Sequence, residues 1–188
     1  MVTSLLRKFR NTGLLLCFVF LGALIAAKLE EVASVRLDGP FVAIDGDTLA
    51  VGAERLRLQG LDAPEAQQIC KNAGRRDWAC GKEARMALER LTSAASVVCT
   101  GSTRDRYDRL LVRCRDGKRD INREMVRIGL AVASGDYQAV EAEARDAEQG
   151  LWAGSFDRPR DWRVQHGMMD DPSVAEGFLE CLRGLFSG

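Results

Sequence analysis

A chain of 188 residues with 27 basic and 27 acidic side chains, 46% hydrophobic and 29% charged, has the size of one domain and hardly of two. That composition excludes a disordered chain and a multispan membrane protein. Zero net charge excludes a uniformly basic nucleic-acid packager, so any nucleic acid must meet a local patch.

The first 27 residues differ from the rest. Arg7, Lys8 and Arg10 precede an uncharged apolar run from Gly13 to Ala27, the pattern of an export signal. The run is short for a relaxed transmembrane span, which needs about 20 apolar residues. Ile25-Ala26-Ala27 places a bulky residue where a cleavage site prefers a small one. Residues 1–27 are therefore read as a signal peptide or an N-terminal membrane anchor, with residues 13–27 as the tether, and the protein as periplasmic or secreted.

Val35 to Ile44 reads as extended and apolar; Asp45-Gly46 is a turn signal, and Thr48 to Val51 resumes as a strand. After a turn at Gly52-Ala53-Glu54, Arg55-Leu56-Arg57-Leu58-Gln59 alternates with period two. Leu56 and Leu58 then face one side and Arg57 the other. Lys82 to Ser93 carries Ala84, Ala87, Leu88 and Leu91 at helical spacing. Val97-Val98-Cys99 and Leu110 to Cys114 predict two strands joined by a charged loop. A second helix is predicted near Asn122 to Ile128, stopped by Gly129, and a third over Val140 to Leu151, ending around Gly150. Five short strands with three helices fit an α+β domain built on a small oligonucleotide-binding (OB) β-barrel, over residues 33–163. Residues 164–188 are acidic, and Val174, Phe178, Cys181, Leu182 and Leu185 predict a short amphipathic helix there.

Cysteine usage agrees with export. Cys17 lies in the apolar run, and no other pair has zinc-ligand spacing beside the single histidine, His166. In an oxidising compartment the natural pairs are Cys70 with Cys80 and Cys99 with Cys114; buried thiols in a cytosolic protein are the alternative.

Two acidic clusters, Asp45-Gly46-Asp47-Thr48 and Leu61-Asp62-Ala63-Pro64-Glu65, bracket Arg57. Each alone is an ordinary turn sequence. Together they suit a hard cation held beside a phosphate, because such cations prefer carboxylate, carbonyl and water oxygens. The later loop Arg104-Asp105-Arg106-Tyr107-Asp108-Arg109 supplies the complement. The planar forks of Arg57 and Arg109 match phosphate oxygens, Tyr107 offers a ring to a base, and Arg106 adds charge for the backbone.

These residues, with Asn122 through Gly129-Leu130-Ala131, Glu143-Ala144-Arg145, Gly150-Leu151-Trp152 and Pro159-Arg160-Asp161-Trp162-Arg163, resemble the staphylococcal nuclease (thermonuclease) family from about Val35 to Arg163. The resemblance implies calcium-dependent hydrolysis of DNA or RNA with little sequence preference, leaving 3′-phosphates. Asp47 and Asp62 match the family's calcium-binding carboxylates, and Ala63 stands where the family offers a backbone carbonyl. Arg57 and Arg109 match its phosphate-binding arginines and Glu65 its general base. Tyr137 matches a base-stacking tyrosine, whereas Gly135 stands where a second is expected. Asp108 replaces a usual glycine and sets a negative charge beside Arg109. The alternative is a non-catalytic module of the same fold that binds nucleic acid or a protein partner.

Overall fold

The computed structural model describes residues 14–25, 28 and 34–168. Residues 14–25 form an exposed apolar helix, α1. Among the described residues no helix is long and apolar enough to cross a membrane. Cys181 and the predicted tail helix lie outside the described residues.

The extended stretch after residue 34 is divided rather than continuous. Strand β1 (Val35–Asp38) and β2 (Val42–Ala43) flank Gly39-Pro40, and β3 (Thr48–Val51) and β4 (Glu54–Leu58) follow as the predicted hairpin. Three short strands come next: β5 (Leu61–Asp62), β6 (Cys70–Lys71) and β7 (Asp77–Trp78). Helix α2 (Cys80–Leu91) leads to β8 (Val97–Arg104), β9 (Leu110–Asp116) and β10 (Arg119–Asp120). Helix α3 (Ile121–Arg127), β11 (Val132–Ala133), α4 (Gln138–Asp146), a 3-10 turn at Gly150–Ala153 and α5 (Pro159–Gln165) complete the domain.

The main sheet runs β1-β8-β9-β4-β3-β2, with β10 paired to β9. Only β4 and β9 pair in parallel. Its two edge strands, β1 and β2, are joined by residues 39–41 alone. A chain extends about 3.5 Å per residue, so the edges must lie close and the sheet must curl. This α+β domain with a curled sheet accords with the expected barrel type. Its sheet has seven strands instead of five because the first predicted strand splits across the two edges and β10 is added. The β6–β7 hairpin and α5 were not foreseen, and the third helix ends at Asp146, before the 3-10 turn.

Alternation explains the packing. Leu56 and Leu58 of β4 are buried against Leu49, Val97 and Val112, while Arg57 between them faces the other way. Ala84, Ala87 and Leu88 of α2 and Ile121, Met125 and Val126 of α3 close the core. Both expected disulfides form: Cys70–Cys80, and Cys99–Cys114 across directly opposed positions of β8 and β9.

Three details position the site. Buried Asn122 accepts from the Cys114 N–H and donates to the carbonyls of Gln59 and Val112, each at 3.0 Å. It thereby ties α3 to the end of β4, just before β5. Gly129, with φ +68°, follows α3 as predicted and takes the left-handed conformation that ends it. Gly81, in the first turn of α2, lies so close to Glu65 that a Cβ there would sit 1.7 Å from the Glu65 carbonyl oxygen. Gly81→Ala is expected to cost about 1–3 kcal/mol, the usual range for forced overpacking, and to displace the Glu65 turn. An unchanged melting temperature would contradict that packing.

On the surface of α3, Arg127 and Arg119 donate to Glu124 at 2.7 and 2.9 Å. The hydrogen bond from Arg127, ahead of that from Arg119, holds the carboxyl down at about 2 against an ordinary 4.5. A depressed acid stabilises above its ordinary pKa and loses that contribution as pH falls from about 4.5 towards 2. Glu124→Gln is therefore expected to cost about 1 kcal/mol at neutral pH, an exposed-pair magnitude. Melts of the two proteins should converge near pH 2; a difference that persists there would contradict the assignment.

Candidate functional site

The first half of the site is built where β2 turns into β3. The Asp45 carboxylate accepts the Asp47 N–H at 3.0 Å, which makes Asp45 a turn residue and aims Asp47 inward. Asp47 is 3% exposed. Its Oδ1 accepts from the Thr48 hydroxyl at 3.0 Å and from Arg57 Nη1 at 2.7 Å, and its Oδ2 accepts the Ala63 N–H at 3.2 Å. Burial pushes the Asp47 carboxyl well up, to about 7, against the opposing pull of Arg57; Asp45 and Asp62 push the same way as burial.

Register then delivers Arg57 and Asp62. Arg57 is the strand partner of Thr48, and the Leu58 N–H donates to the Asp47 carbonyl at 2.8 Å. Asp62, on β5, is fixed by pairing with Val132 of β11. Arg57 Nη2 reaches Asp62 Oδ1 at 2.8 Å, so one guanidinium bridges both acidic clusters.

The β8–β9 turn brings the second half. The Asp105 carboxylate accepts from the N–H groups of Tyr107 and Arg109 and from Arg109 Nε at 2.8 Å, which sets the turn and aims the arginine together. Arg109 Nη1 lies 3.5 Å from the Thr48 hydroxyl oxygen, so Thr48 touches both halves. Tyr107 is exposed, with the guanidiniums of Arg106 and Arg109 at 4.7 and 5.4 Å from its ring centre. Asp108 takes φ +63°, the left-handed geometry expected where the family has glycine. Its carboxylate does not oppose Arg109: it lies 3.6 Å from Arg104 Nε and is 88% exposed. The acid beside Arg109 is Asp105.

Arg55, Arg57, Arg106, Arg109 and Arg163, with Asp45, Glu65, Tyr107 and Met168, line an open cleft of about 460 Å³. The structure thus assembles Arg57, Glu65, Arg106, Tyr107 and Arg109 around one cleft, with Asp47 and Asp62 buried against Arg57 and Ala63 buried and hydrogen-bonded to Asp47. Tyr137 does not line it. That residue caps the N-terminus of α4, packs on the core and donates its hydroxyl to Asp120 at 3.1 Å. Burial, with Asp120 alongside, pushes its phenol up to about 12.

Sequence reasoning missed two participants. Asp105 has no role in the sequence reading of the loop, although an aspartate two residues before Tyr107 and four before Arg109 is a turn signal in its own right. Arg163 comes from α5, 101 residues beyond Asp62, and grips both Asp62 and Glu65. No local spacing announces such a contact.

The donor set also decides which cation could fit. Among the described residues no three or more His, Cys, Asp or Glu side chains converge on one point as a metal centre. Asp47 and Asp62 are buried, and Asp45 and Glu65 stand near them, against the guanidiniums of Arg57 and Arg163. Among the described residues the groups here that could face a cation are carboxylates, and every one offers a hard oxygen. A hard divalent ion that completes its shell with carbonyl and water oxygens fits; a thiolate- or imidazole-seeking metal does not.

Comparison with known proteins identifies the family. Residues 55–154 match the family described as staphylococcal nuclease homologue. The chain is 36% identical over 143 residues to "Succinoglycan biosynthesis protein ExoI" of Rhizobium meliloti, covering 70% of this chain and 74% of that protein. It is 31% identical over 171 residues to an "Uncharacterized endonuclease" of Haemophilus influenzae, covering 85% and 86%. It is also 31% identical over 114 residues to "Probable endonuclease LCL3" of Clavispora lusitaniae, covering 52% of this chain and 47% of that one. The matched span runs from β4 through the 3-10 turn and includes Arg57, Asp62, Glu65 and Arg109. The chain belongs to the staphylococcal nuclease homologue family.

Proposed function

We propose that this protein is a calcium-dependent nuclease that hydrolyses DNA or RNA phosphodiesters with little sequence preference and leaves 3′-phosphate ends. The observation that supports the reading is the cleft lined by Arg57, Glu65 and Arg109, with Asp47 and Asp62 buried beside it and paired to Arg57. Arginine forks suit phosphate oxygens and the charge that builds on them in the transition state. Asp47 and Asp62, with the Ala63 carbonyl, are the groups that would hold the ion. When bound, calcium supplies charge neutralisation and a template for the phosphate.

The chain's own residues do the rest. Arg57 and Arg109 bind and orient the scissile phosphate. Glu65 accepts a proton from the water whose oxygen forms the new bond to phosphorus. The bond from phosphorus to the 5′-oxygen breaks, that oxygen takes a proton from solvent water and leaves as a hydroxyl, Glu65 returns its proton to solvent, and the phosphate stays on the 3′ side. Arg106 and Tyr107 line the cleft and are exposed, which supports their contact with the neighbouring backbone and base.

We also propose export, with residues 1–27 as signal or membrane anchor. The two disulfides and the apolar run of residues 14–25 support that reading. The central assay incubates the purified protein with single-stranded DNA and with RNA, in calcium or in excess chelator, and maps the new ends. Calcium-dependent cleavage to 3′-phosphates is expected. Cleavage undiminished by chelator would overturn the metal role, and binding without cleavage at any calcium level would leave the non-catalytic alternative standing.

A further inference from the structure

Arg163 is the residue that the nuclease reading leaves without a task. Its Nη2 lies 2.8 Å from Asp62 Oδ2, and its Nη1 lies 3.0 Å from Asp62 Oδ1 and 2.8 Å from Glu65 Oε1. Asp62 is therefore gripped by a two-pronged fork, and the same guanidinium reaches over to Glu65. Arg57 shares Asp62 Oδ1. Both Asp62 oxygens thus already accept from arginine, on the carboxylate that would hold a cation.

The placement is built into the fold. Trp162, the preceding residue, is 8% exposed, and Pro159 at the start of α5 is buried. Just upstream, Ser155 exchanges backbone hydrogen bonds with Lys71, beside the Cys70–Cys80 disulfide. Gln68, fully buried, donates to the Asp157 carbonyl at 2.7 Å while its Oε1 accepts the Glu65 N–H at 3.3 Å. The segment that carries Arg163 is thereby fastened to the turn that carries Glu65.

We propose that Arg163 is a positioning residue with two consequences of opposite sign: it orients Glu65 for its proton transfer, and it competes with the cation for Asp62. The proposal rests on the nuclease reading above. A guanidinium held to both carboxylates fixes where Glu65 points, which favours turnover. A positive charge in contact with a cation ligand weakens cation binding. A role confined to stability would move both quantities the same way, because a loosened site loses activity and affinity together.

The test uses the full chain with Arg163→Ala and Arg163→Lys, read by titration calorimetry with calcium alone and by steady-state cleavage of single-stranded DNA. Arg163→Ala is expected to lower kcat about tenfold with KM within about twofold, while calcium binds several-fold more tightly, by about fivefold. Lysine keeps the charge but not the fork, so Arg163→Lys should hold calcium affinity near wild type and recover only part of kcat. If the alanine variant fails to fold, the lysine variant decides: a kcat equal to wild type overturns the positioning role. For a folded alanine variant, an unchanged kcat, or a calcium affinity that stays or falls, overturns the proposal. A wild-type protein that neither cuts nor binds calcium defeats the nuclease reading itself; one that does both beside an indistinguishable Arg163→Ala defeats this proposal alone.

Discussion

Arg57→Ala is expected to lower cleavage by about a hundred- to a thousandfold, the usual cost of removing one charged donor to a transition state. The structure adds an effect that the sequence did not announce. Arg57 bridges Asp47 at 2.7 Å and Asp62 at 2.8 Å, and both acids are buried. Truncation leaves them facing each other without their shared partner. Breaking such a pair costs about 3 kcal/mol, at the low end of the buried range because the Arg57 side chain retains 19% exposure. Calcium should restore part of that loss by supplying the missing charge. Thermal melts of the variant with and without calcium, beside cleavage rates, check both halves. A variant as stable as wild type in chelator would show that Asp47 and Asp62 do not depend on Arg57.

Arg109→Ala is expected to separate activity from stability. Cleavage should fall by a similar factor, about a hundred- to a thousandfold, because the second fork on the phosphate is lost. Stability should drop by only about 1 kcal/mol, the scale of a partly exposed ion pair. Asp105 would still accept the N–H groups of Tyr107 and Arg109, which hold the turn. Arg109→Lys should not restore the rate, since an ammonium offers a point charge rather than a planar fork. Rates at saturating DNA together with a denaturation curve decide the matter. Cleavage within twofold of wild type would remove Arg109 from the phosphate site.

The contrast between these two arginines shows where reading a sequence ends. Alternation of Leu56, Arg57 and Leu58 was enough to turn Arg57 away from the core, because a strand sends successive side chains to opposite faces. Asp45-Gly46 was enough for a turn, and Gly129 for the end of α3. Each is decided by a few neighbouring residues. The division of residues 35–44 into β1 and β2 was not legible, because the run is uniformly extended and only the curl of the sheet sends its halves to opposite edges. Tyr137 looked like a base-stacking ring by position. Its side chain was claimed instead by the core and by Asp120, contacts set by how α4 packs. Asp108 looked like the acid opposing Arg109, yet the left-handed turn swings it to Arg104 and leaves Asp105 in that place.

The sequence by itself supplied most of the candidate site: Asp47, Asp62 and Glu65, Arg57 and Arg109, two disulfide pairs and a family. Those follow from side-chain chemistry and short-range spacing, which a linear chain displays directly. Only the tertiary structure decided who holds whom. Arg57 spans both acidic clusters because strand register puts it there, and Arg163 closes on Asp62 and Glu65 across about a hundred residues because Trp162, Gln68 and the Lys71–Ser155 bridge dock α5. Ion pairs act over a few ångströms, and such distances exist only once the core has brought remote segments together.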